Sequence, residues 1–441
     1  MGAEITFAAA GLIILLGFIS DWIFSKTNIP DVIWLIFIGI ILGPLLGFVN
    51  PGELGGPAVI FTSFALLFIL FEGGLHIRIK DLMLSMYGAT AITIANFILT
   101  MLAITPIAMF FGFSLPNAIL LGAILGGTSS AIVVPLVRRL QMGKNNSLVL
   151  ILESAFSDVL VIVAALTILQ IIKLNSINLS GVLHALFGSF AIAIFVGGIA
   201  GFFWILLLER FSVLAKSYMS TIGVLLIIYG LTEFAQSSGA IAGLVFGIVM
   251  GNSRKILSMT EGTEETDTLT SSARQFFAQI SFFVKTFFFV YMGILMSFSE
   301  LKPIFLGFLI AIAVFLLRPI PVKLGYYSQE GGKDRPIMES MVPKGLAAAV
   351  VAQIPLQAGI PGAEQLLTPV FSAIFFTIAI TTLMVFLVKH DRYPGTTAIF
   401  RKLFMKKTAA ENTAKLPASK TQMKAAAKKT VKPIVKKRAR K

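Results

Sequence analysis

The chain has 441 residues, of which 56% are hydrophobic and only 13% charged, whereas soluble domains carry about 25% charged residues. That balance excludes a water-soluble globule of this size, which could not cover its surface, and the wealth of apolar residues excludes a disordered or fibrous chain. The net charge of +15 sits at one end: residues 401–441 hold fifteen Lys and Arg against one acid, Glu411, which leaves the first 400 residues near +1. Charge placed in that way describes a solvated appendage, not a specific nucleic-acid surface spread over the fold. Cysteine is absent, so disulfides, a thiolate nucleophile and a Cys-based metal site are excluded. Met1–Ile5 carries no basic residue before the first apolar run, which is therefore expected to be a retained membrane helix and not a cleaved signal peptide.

A helix needs about 20 residues to cross the hydrocarbon core of a bilayer, and in that unit the chain predicts thirteen spans, an all-α polytopic membrane protein. Phe7–Phe24, Val32–Val49 and Pro57–Leu75 come first. Leu82–Phe111, long enough to tilt or fray near Pro106, is followed by Leu115–Val137 and Leu148–Ile172. Val182–Leu208 precedes two short spans, Met219–Phe234 and Gly239–Met250. After a polar loop come Phe276–Phe298, Pro303–Leu317, Ile337–Pro355 and Leu367–Val388.

The loop charges test this division. Lys26, then Arg78 and Lys80, then Arg138, Arg139 and Lys144 fall on one side. Arg210, Lys216, Arg254, Lys255, Lys323, Lys333, Arg335 and the tail continue the series, against Lys173 and Lys302 on the other side. By the positive-inside rule the N-terminus lies outside, the C-terminus is cytoplasmic and the number of spans is odd. The expected location is the cytoplasmic (inner) membrane.

Two spans have the composition of broken helices. The fifth contains Gly126-Gly127-Thr128-Ser129-Ser130 and Pro135; the twelfth contains Pro343-Lys344-Gly345. They lie seven spans apart, and an odd separation gives the second copy the opposite orientation, as inverted-topology repeats require. Unwound segments supply backbone carbonyls and helix-end dipoles at membrane depth; close helix packing by small residues is the alternative.

Ionisable residues at membrane depth mark function by default. Asp158 lies eleven residues into the sixth span, where protons and a cation can compete for its carboxylate. Glu153 stands five residues earlier, about 140° around the helix, so it is expected to be an ion-pair partner, with Lys344 or Arg318 as its cation. Ser157 adjoins Asp158, and Thr128 and Ser129 with Ser130 could complete an oxygen-lined site for a hard monovalent cation. Glu72, ending the third span in Phe71-Glu72-Gly73-Gly74-Leu75-His76, is either a loop-facing charge or an acid on the cytoplasmic access path. Lys285, nine residues into the tenth span, either snorkels to the surface or points into the bundle as a counter-charge. His76, His184 and His390 read as interface or helix-end residues, and Glu233 and Gln236 as rim or packing groups.

These motifs resemble the monovalent cation:proton antiporters of the sodium/proton exchanger superfamily, and most of all prokaryotic members of its first large branch. Phe71-Glu72-Gly73-Gly74-Leu75 is similar to that branch's third-helix motif, and Glu153-Ser154-Ala155-Phe156-Ser157-Asp158 to its sixth-helix signature. Phe289-Val290-Tyr291-Met292-Gly293 is similar to the tenth helix and Lys344-Gly345 to the Arg-Gly pair of the twelfth, a resemblance that covers residues 10–390. It implies thirteen helices in a core bundle and dimerisation helices within residues 1–400, unwound fifth and twelfth helices, a homodimer and an elevator-like motion. It further implies that Asp158 is the shared proton and cation carboxylate, that Glu153 pairs with Lys344, and that Thr128 borders the ion. Ser157 replaces the family's Asn, Lys344 its Arg, and the fifth-helix segment lacks an Asp, which is closer to the second branch with its potassium-efflux members. Exchange of sodium, lithium or potassium for protons, with no cofactor and electroneutral because one carboxylate serves both ions, is the expected activity. Secondary transport of an organic anion or metabolite is the alternative, and an enzyme is not expected. The tail, residues 401–441, is expected to be disordered and drawn to anionic lipids at about 1 kcal/mol per basic residue near the surface. No Rossmann-type nucleotide-binding domain is expected within these 441 residues.

Overall fold

The computed structural model describes residues 3–27, 29–48, 55–77, 79–174, 179–211, 218–235, 237–261, 270–296, 300–327 and 334–390, with 298, 392, 395 and 396. Arg78, Lys216, Gln236, Lys333 and the tail 401–441 lie outside the described residues, as do the side chains of Lys80, Arg138 and His184. Residues 1–393 form one compact unit and residues 394–441 a second. Everything below concerns the first.

Apolar runs become helices here because inside a membrane a single segment satisfies its own backbone groups only as a helix, and no strand occurs among the described residues. The helices are α1 (Ala3–Thr27), α2 (Asp31–Ile40), α3 (Gly55–Leu75), α4 (Ile79–Phe110), α5 (Leu115–Ile124) and α6 (Ser130–Arg139). They continue with α7 (Lys144–Leu174), α8 (Leu179–Arg210), α9 (Tyr218–Phe234), α10 (Gly239–Gly251), α11 (Ser253–Glu261) and α12 (Ser271–Ile294). The last are α13 (Leu301–Leu317), α14 (Pro319–Gly325), α15 (Asp334–Ser340), α16 (Leu346–Val351), α17 (Ile354–Gln357) and α18 (Glu364–Lys389).

Local chemistry explains the boundaries. Pro44 lacks the N–H that would continue the ladder of α2, and residues Ile41–Leu45 widen into a π-turn. Ser238 caps α10 by accepting the Ile241 N–H at 3.4 Å, and Thr270 caps α12 by accepting the Ala273 N–H at 3.2 Å. Glu233, expected at the rim, is exposed and accepts the Gly239 N–H at 2.8 Å, also at the start of α10. One expectation is corrected: α4 runs unbroken through Pro106 to Phe110, because neighbouring groups can absorb a proline inside a membrane helix.

Among the described residues, seven helices are long and apolar enough to cross a membrane, and six shorter apolar helices accompany them. Their outward faces are hydrocarbon: Phe7, Leu15, Phe18 and Trp22 on α1, and Phe195 and Phe203 on α8, are exposed, as lipid contact allows and water does not. The helices pack in two groups: α1, α2, α3, α8, α9, α10 and α12 in one, and α4 to α7 with α13 to α18 in the other. Contacts between distant turns gather the basic connections at one end. Arg139 stacks 3.9 Å over the Phe24 ring, Asn146 donates to Asp334 at 2.8 Å, and Asn252 donates to the Ile77 carbonyl at 2.8 Å. At the other end Asn117 donates to the Pro361 carbonyl at 3.0 Å.

Glycine sets the separation of the first group. A Cβ on Gly39 of α2 would strike the Val290 carbonyl of α12, and one on Gly293 would strike the Ile36 carbonyl in return. Gly247 and Gly251 of α10 lie as close to the Phe71 and Leu75 carbonyls of α3. Without a hydrophobic drive between helices in lipid, such close approach is the main source of attraction. Gly293→Val should therefore destabilise the protein by about 1–3 kcal/mol through overpacking. Gly223→Ala, where a Cβ meets nothing within 4 Å, should be neutral, and thermal unfolding of the two variants in detergent checks the contrast.

Candidate functional site

The second group is built round two places where helices give way. Between α5 and α6, residues 125–129 are non-helical; between α15 and α16, so are residues 341–345. Gly126 and Gly127 allow the first: a Cβ on Gly127 would press on Val161 at 2.8 Å and the Ser157 carbonyl at 3.1 Å. Pro343, which has no N–H and disfavours helical backbone before it, marks the second.

The two segments meet. The Ser129 N–H donates to the Pro343 carbonyl at 2.8 Å, and the buried Lys344 ammonium donates to the Gly127 carbonyl at 2.7 Å. Neighbouring side chains take the remaining groups. Asn96 donates to the Gly126 carbonyl at 3.3 Å, and Thr377 accepts the Lys344 N–H at 3.0 Å. Ser157 Oγ accepts the Thr128 N–H at 2.9 Å and lies 3.1 Å from the Thr128 carbonyl.

Asp158, on α7, is 7% exposed and faces the start of α6. Ser130, the first residue of α6, donates its hydroxyl to Asp158 Oδ2 at 2.5 Å and presents its backbone N–H to the same carboxylate. A helix N-terminus suits a negative charge. The expected oxygen donors are thus redistributed. Ser157 points its hydroxyl at the Thr128 backbone and the Ser154 carbonyl instead of at Asp158. Thr128 Oγ1 lies 3.3 Å from Ser157 Oγ. Ser129 sits against Gly345, where a Cβ would strike its hydroxyl. Ser130 is the hydroxyl on the carboxylate.

The remaining charges fall into two pairs. Glu153, buried, makes a two-pronged ion pair with the buried Arg318, whose Nη2 lies 2.7 Å from Oε2 and whose Nη1 meets Oε1. Arg318 Nε also donates to the Met338 carbonyl at 3.2 Å. The pairing of Glu153 with Lys344 is therefore corrected: guanidinium at the α13–α14 junction matches the carboxylate fork, and Lys344 is spent on the Gly127 carbonyl. Lys285 does not sit at the crossing of the broken segments. Its ammonium lies 2.5 Å from Asp31 Oδ2, at the first turn of α2. Asp31, just outside the expected second span, is one residue that sequence reasoning missed, as are Asp21 and Ser281; the signal for Asp31 was an acid directly after Pro30 at a helix start.

A cavity of about 620 Å³ opens between the two groups. Glu72, Asp21, Gln275, Ser281 and Lys285 line it on one side and Ser130 on the other. Glu72 thus faces the same space as the hydroxyl that holds Asp158. Ser130 thus both lines this space and bonds the carboxylate, and hydroxyl and carboxylate oxygens are ligands suited to a small hard ion.

A family model described as the transmembrane sodium/hydrogen exchanger matches residues 11–389. The K(+)/H(+) antiporter NhaP2 of Shewanella oneidensis is 26% identical over 379 residues, covering 82% of this chain and 61% of that protein. The Na(+)/H(+) antiporter 1 of Methanocaldococcus jannaschii is 26% identical over 367 residues, covering 78% and 81%. The sodium proton antiporter MjNhaP1 from the latter organism has a solved structure that matches with a TM-score of 0.70 at 22% identity, covering 89% of this chain and 98% of that one. The chain spans 61% of the length of the NhaP2 relatives it matches. At that identity the structural match speaks for the fold alone.

The buried charges should differ in what their loss does to stability. Arg318→Leu leaves Glu153 buried and unpaired and should cost about 3–5 kcal/mol. Lys344→Gln removes a charge held by one carbonyl and should cost about 1–3 kcal/mol. Thermal unfolding, with a double-mutant cycle of Glu153→Gln and Arg318→Leu showing strong coupling, checks both.

Proposed function

The chain belongs to the sodium/hydrogen exchanger family, and from that premise we propose that it is a secondary antiporter exchanging a monovalent cation for protons. Sodium is the first candidate, with lithium and potassium as alternatives. The carrying observation is Asp158, a single carboxylate at the level of two helix breaks, hydrogen-bonded to Ser130, which lines an open cavity. When Asp158 is ionised, a cation arriving from the cavity takes its place beside Oδ2, and the Ser130 hydroxyl rotates to offer its lone pairs instead of its proton. When a proton takes the carboxylate, the cation leaves. Oxygen donors and acidic walls favour this reading over transport of an organic anion, which Asp21 and Glu72 would repel.

The same proposal reads the seven long and six short apolar helices as thirteen spans, two of them interrupted. It places the basic end in the cytoplasm of an inner-membrane protein, with the N-terminus outside and the basic tail, residues 401–441, near anionic lipids. A homodimer through the exposed apolar faces of the first helix group and movement of the second group past it complete the scheme. Exchange is one cation for one proton, because Lys285 is committed to Asp31 and Glu153 to Arg318, which leaves Asp158 as the carboxylate that changes partner.

Asp158→Asn in proteoliposomes should abolish cation-driven proton flux while the protein stays folded; retained flux would refute the assignment. Competition fixes a sign: on the acid side of the carboxylate's titration, the apparent cation KM should rise about tenfold per pH unit as protons occupy the site. Fluxes measured with a pH dye across a pH series decide this. Imposed membrane potentials should leave the exchange equilibrium unmoved. A voltage-dependent equilibrium would instead implicate Lys344, whose ammonium is held by a carbonyl and not by a carboxylate.

A further inference from the structure

The cavity wall facing Ser130 carries charges that the exchange step does not use. Asp21 comes from α1, Glu72 from α3 and Lys285 from α12; Asp31 of α2, buried, is bonded to Lys285 without lining the cavity. The Lys285 ammonium is bonded to Asp31 at 2.5 Å, and Asp21 and Glu72 are near enough to act on it through space. His76 Nδ1 lies 3.7 Å from Glu72 Oε1 at the exposed rim. Asp31 thus holds the ammonium, and Asp21 and Glu72 line the same cavity as Lys285.

One turn before Lys285, Ser281 lines the same cavity. It is only 6% exposed, and its hydroxyl has no hydrogen-bond partner. A buried hydroxyl left alone costs free energy, and such groups call for a reason; here the hydroxyl is an oxygen donor beside an excess of negative charge. The Lys285–Asp31 pair is not needed to join α2 to α12, since Gly39 and Gly293 already bring the two backbones into contact. Buried ion pairs are in any case weak contributors to stability.

We propose that Asp21, Glu72 and Ser281 form a second, weak alkali-cation station in this cavity, for which the Lys285 ammonium is a tethered competitor. The station rests on the exchanger reading of Asp158, to which it passes the ion. Without Lys285 the carboxylates would hold an arriving cation too firmly. With it, the station draws cations in by its residual negative charge and releases them, the compromise that any permeation path requires. The tether to Asp31 keeps the ammonium from swinging across the cavity to Asp158.

Removing a unit charge about 8 Å away, at an effective dielectric constant near 40 for a wet cavity, changes binding about fivefold. In full-length protein in proteoliposomes, Lys285→Met should lower the apparent KM for sodium by about that factor and also lower the maximal rate. Lys285→Arg should behave as wild type. Asp21→Asn, which breaks no hydrogen bond or ion pair described here, should raise KM with the maximal rate kept, so the test survives if Lys285→Met folds poorly. Equilibrium binding of sodium-22 to the purified Asp158→Asn protein provides the direct readout. Weak residual binding should remain there, be strengthened by adding Lys285→Met and be lost on adding Asp21→Asn. An unchanged KM in both Lys285→Met and Asp21→Asn, or no binding in Asp158→Asn with Lys285→Met, overturns the station. Absence of any alkali-cation exchange by the wild type overturns the exchanger reading instead, and leaves the binding measurement to decide the station by itself.

Discussion

Everything near the centre of this molecule depends on one meeting of backbones, the Ser129 N–H with the Pro343 carbonyl. Two helices that stop at membrane depth expose amides and carbonyls that water cannot reach, and each unsatisfied group there costs several kcal/mol. Bringing the breaks together lets each relieve the other. Lys344 serves the Gly127 carbonyl, and Thr377 and Ser157 serve amides on either side. The result is a small buried polar region held by hydrogen bonds between its own groups.

That region divides its charges by task. Glu153 and Arg318 satisfy each other through a two-pronged contact, with a further bond from Arg318 to the Met338 carbonyl. They tie α7 to the α13–α14 junction and have little capacity left for an ion. Asp158, five residues along the same helix, receives one hydroxyl and one amide from Ser130, which is less than an ionised carboxylate can accept. The unfilled capacity belongs to the carboxylate whose hydrogen-bond partner, Ser130, lines the cavity. Helical phase, which turns the two carboxylates about 140° apart, keeps the Glu153–Arg318 pair separate from Asp158.

Glycine and charge together shape the space through which an ion would arrive. Gly39, Gly293, Gly247 and Gly251 let α2 pack on α12 and α3 on α10 in backbone contact. The opposite wall is α6 and α7, anchored through the crossing. Among the relatives, one is described as a K(+)/H(+) and another as a Na(+)/H(+) antiporter. On the α12 side of the cavity Lys285, bonded to Asp31, adds a charge pair remote in sequence from the sixth-helix motif.

Composition and order determined much by themselves. The apolar runs, the depth of Asp158 and the glycines and proline at residues 126–127 and 343–345 follow from hydropathy and from which residues a helix tolerates, all local properties. Other features were decided only by the tertiary structure, because they depend on rotation and on partners remote in sequence. Glu153 could have taken either Arg318 or Lys344; only the packed position of the α13–α14 junction puts the guanidinium within reach. Asp31 and Lys285 are 254 residues apart, and nothing in either segment announces the other. Among three adjacent hydroxyl residues, Thr128 to Ser130, the one that touches Asp158 is set by where α6 begins, and that is fixed by the bond from Ser129 to Pro343 across the membrane core.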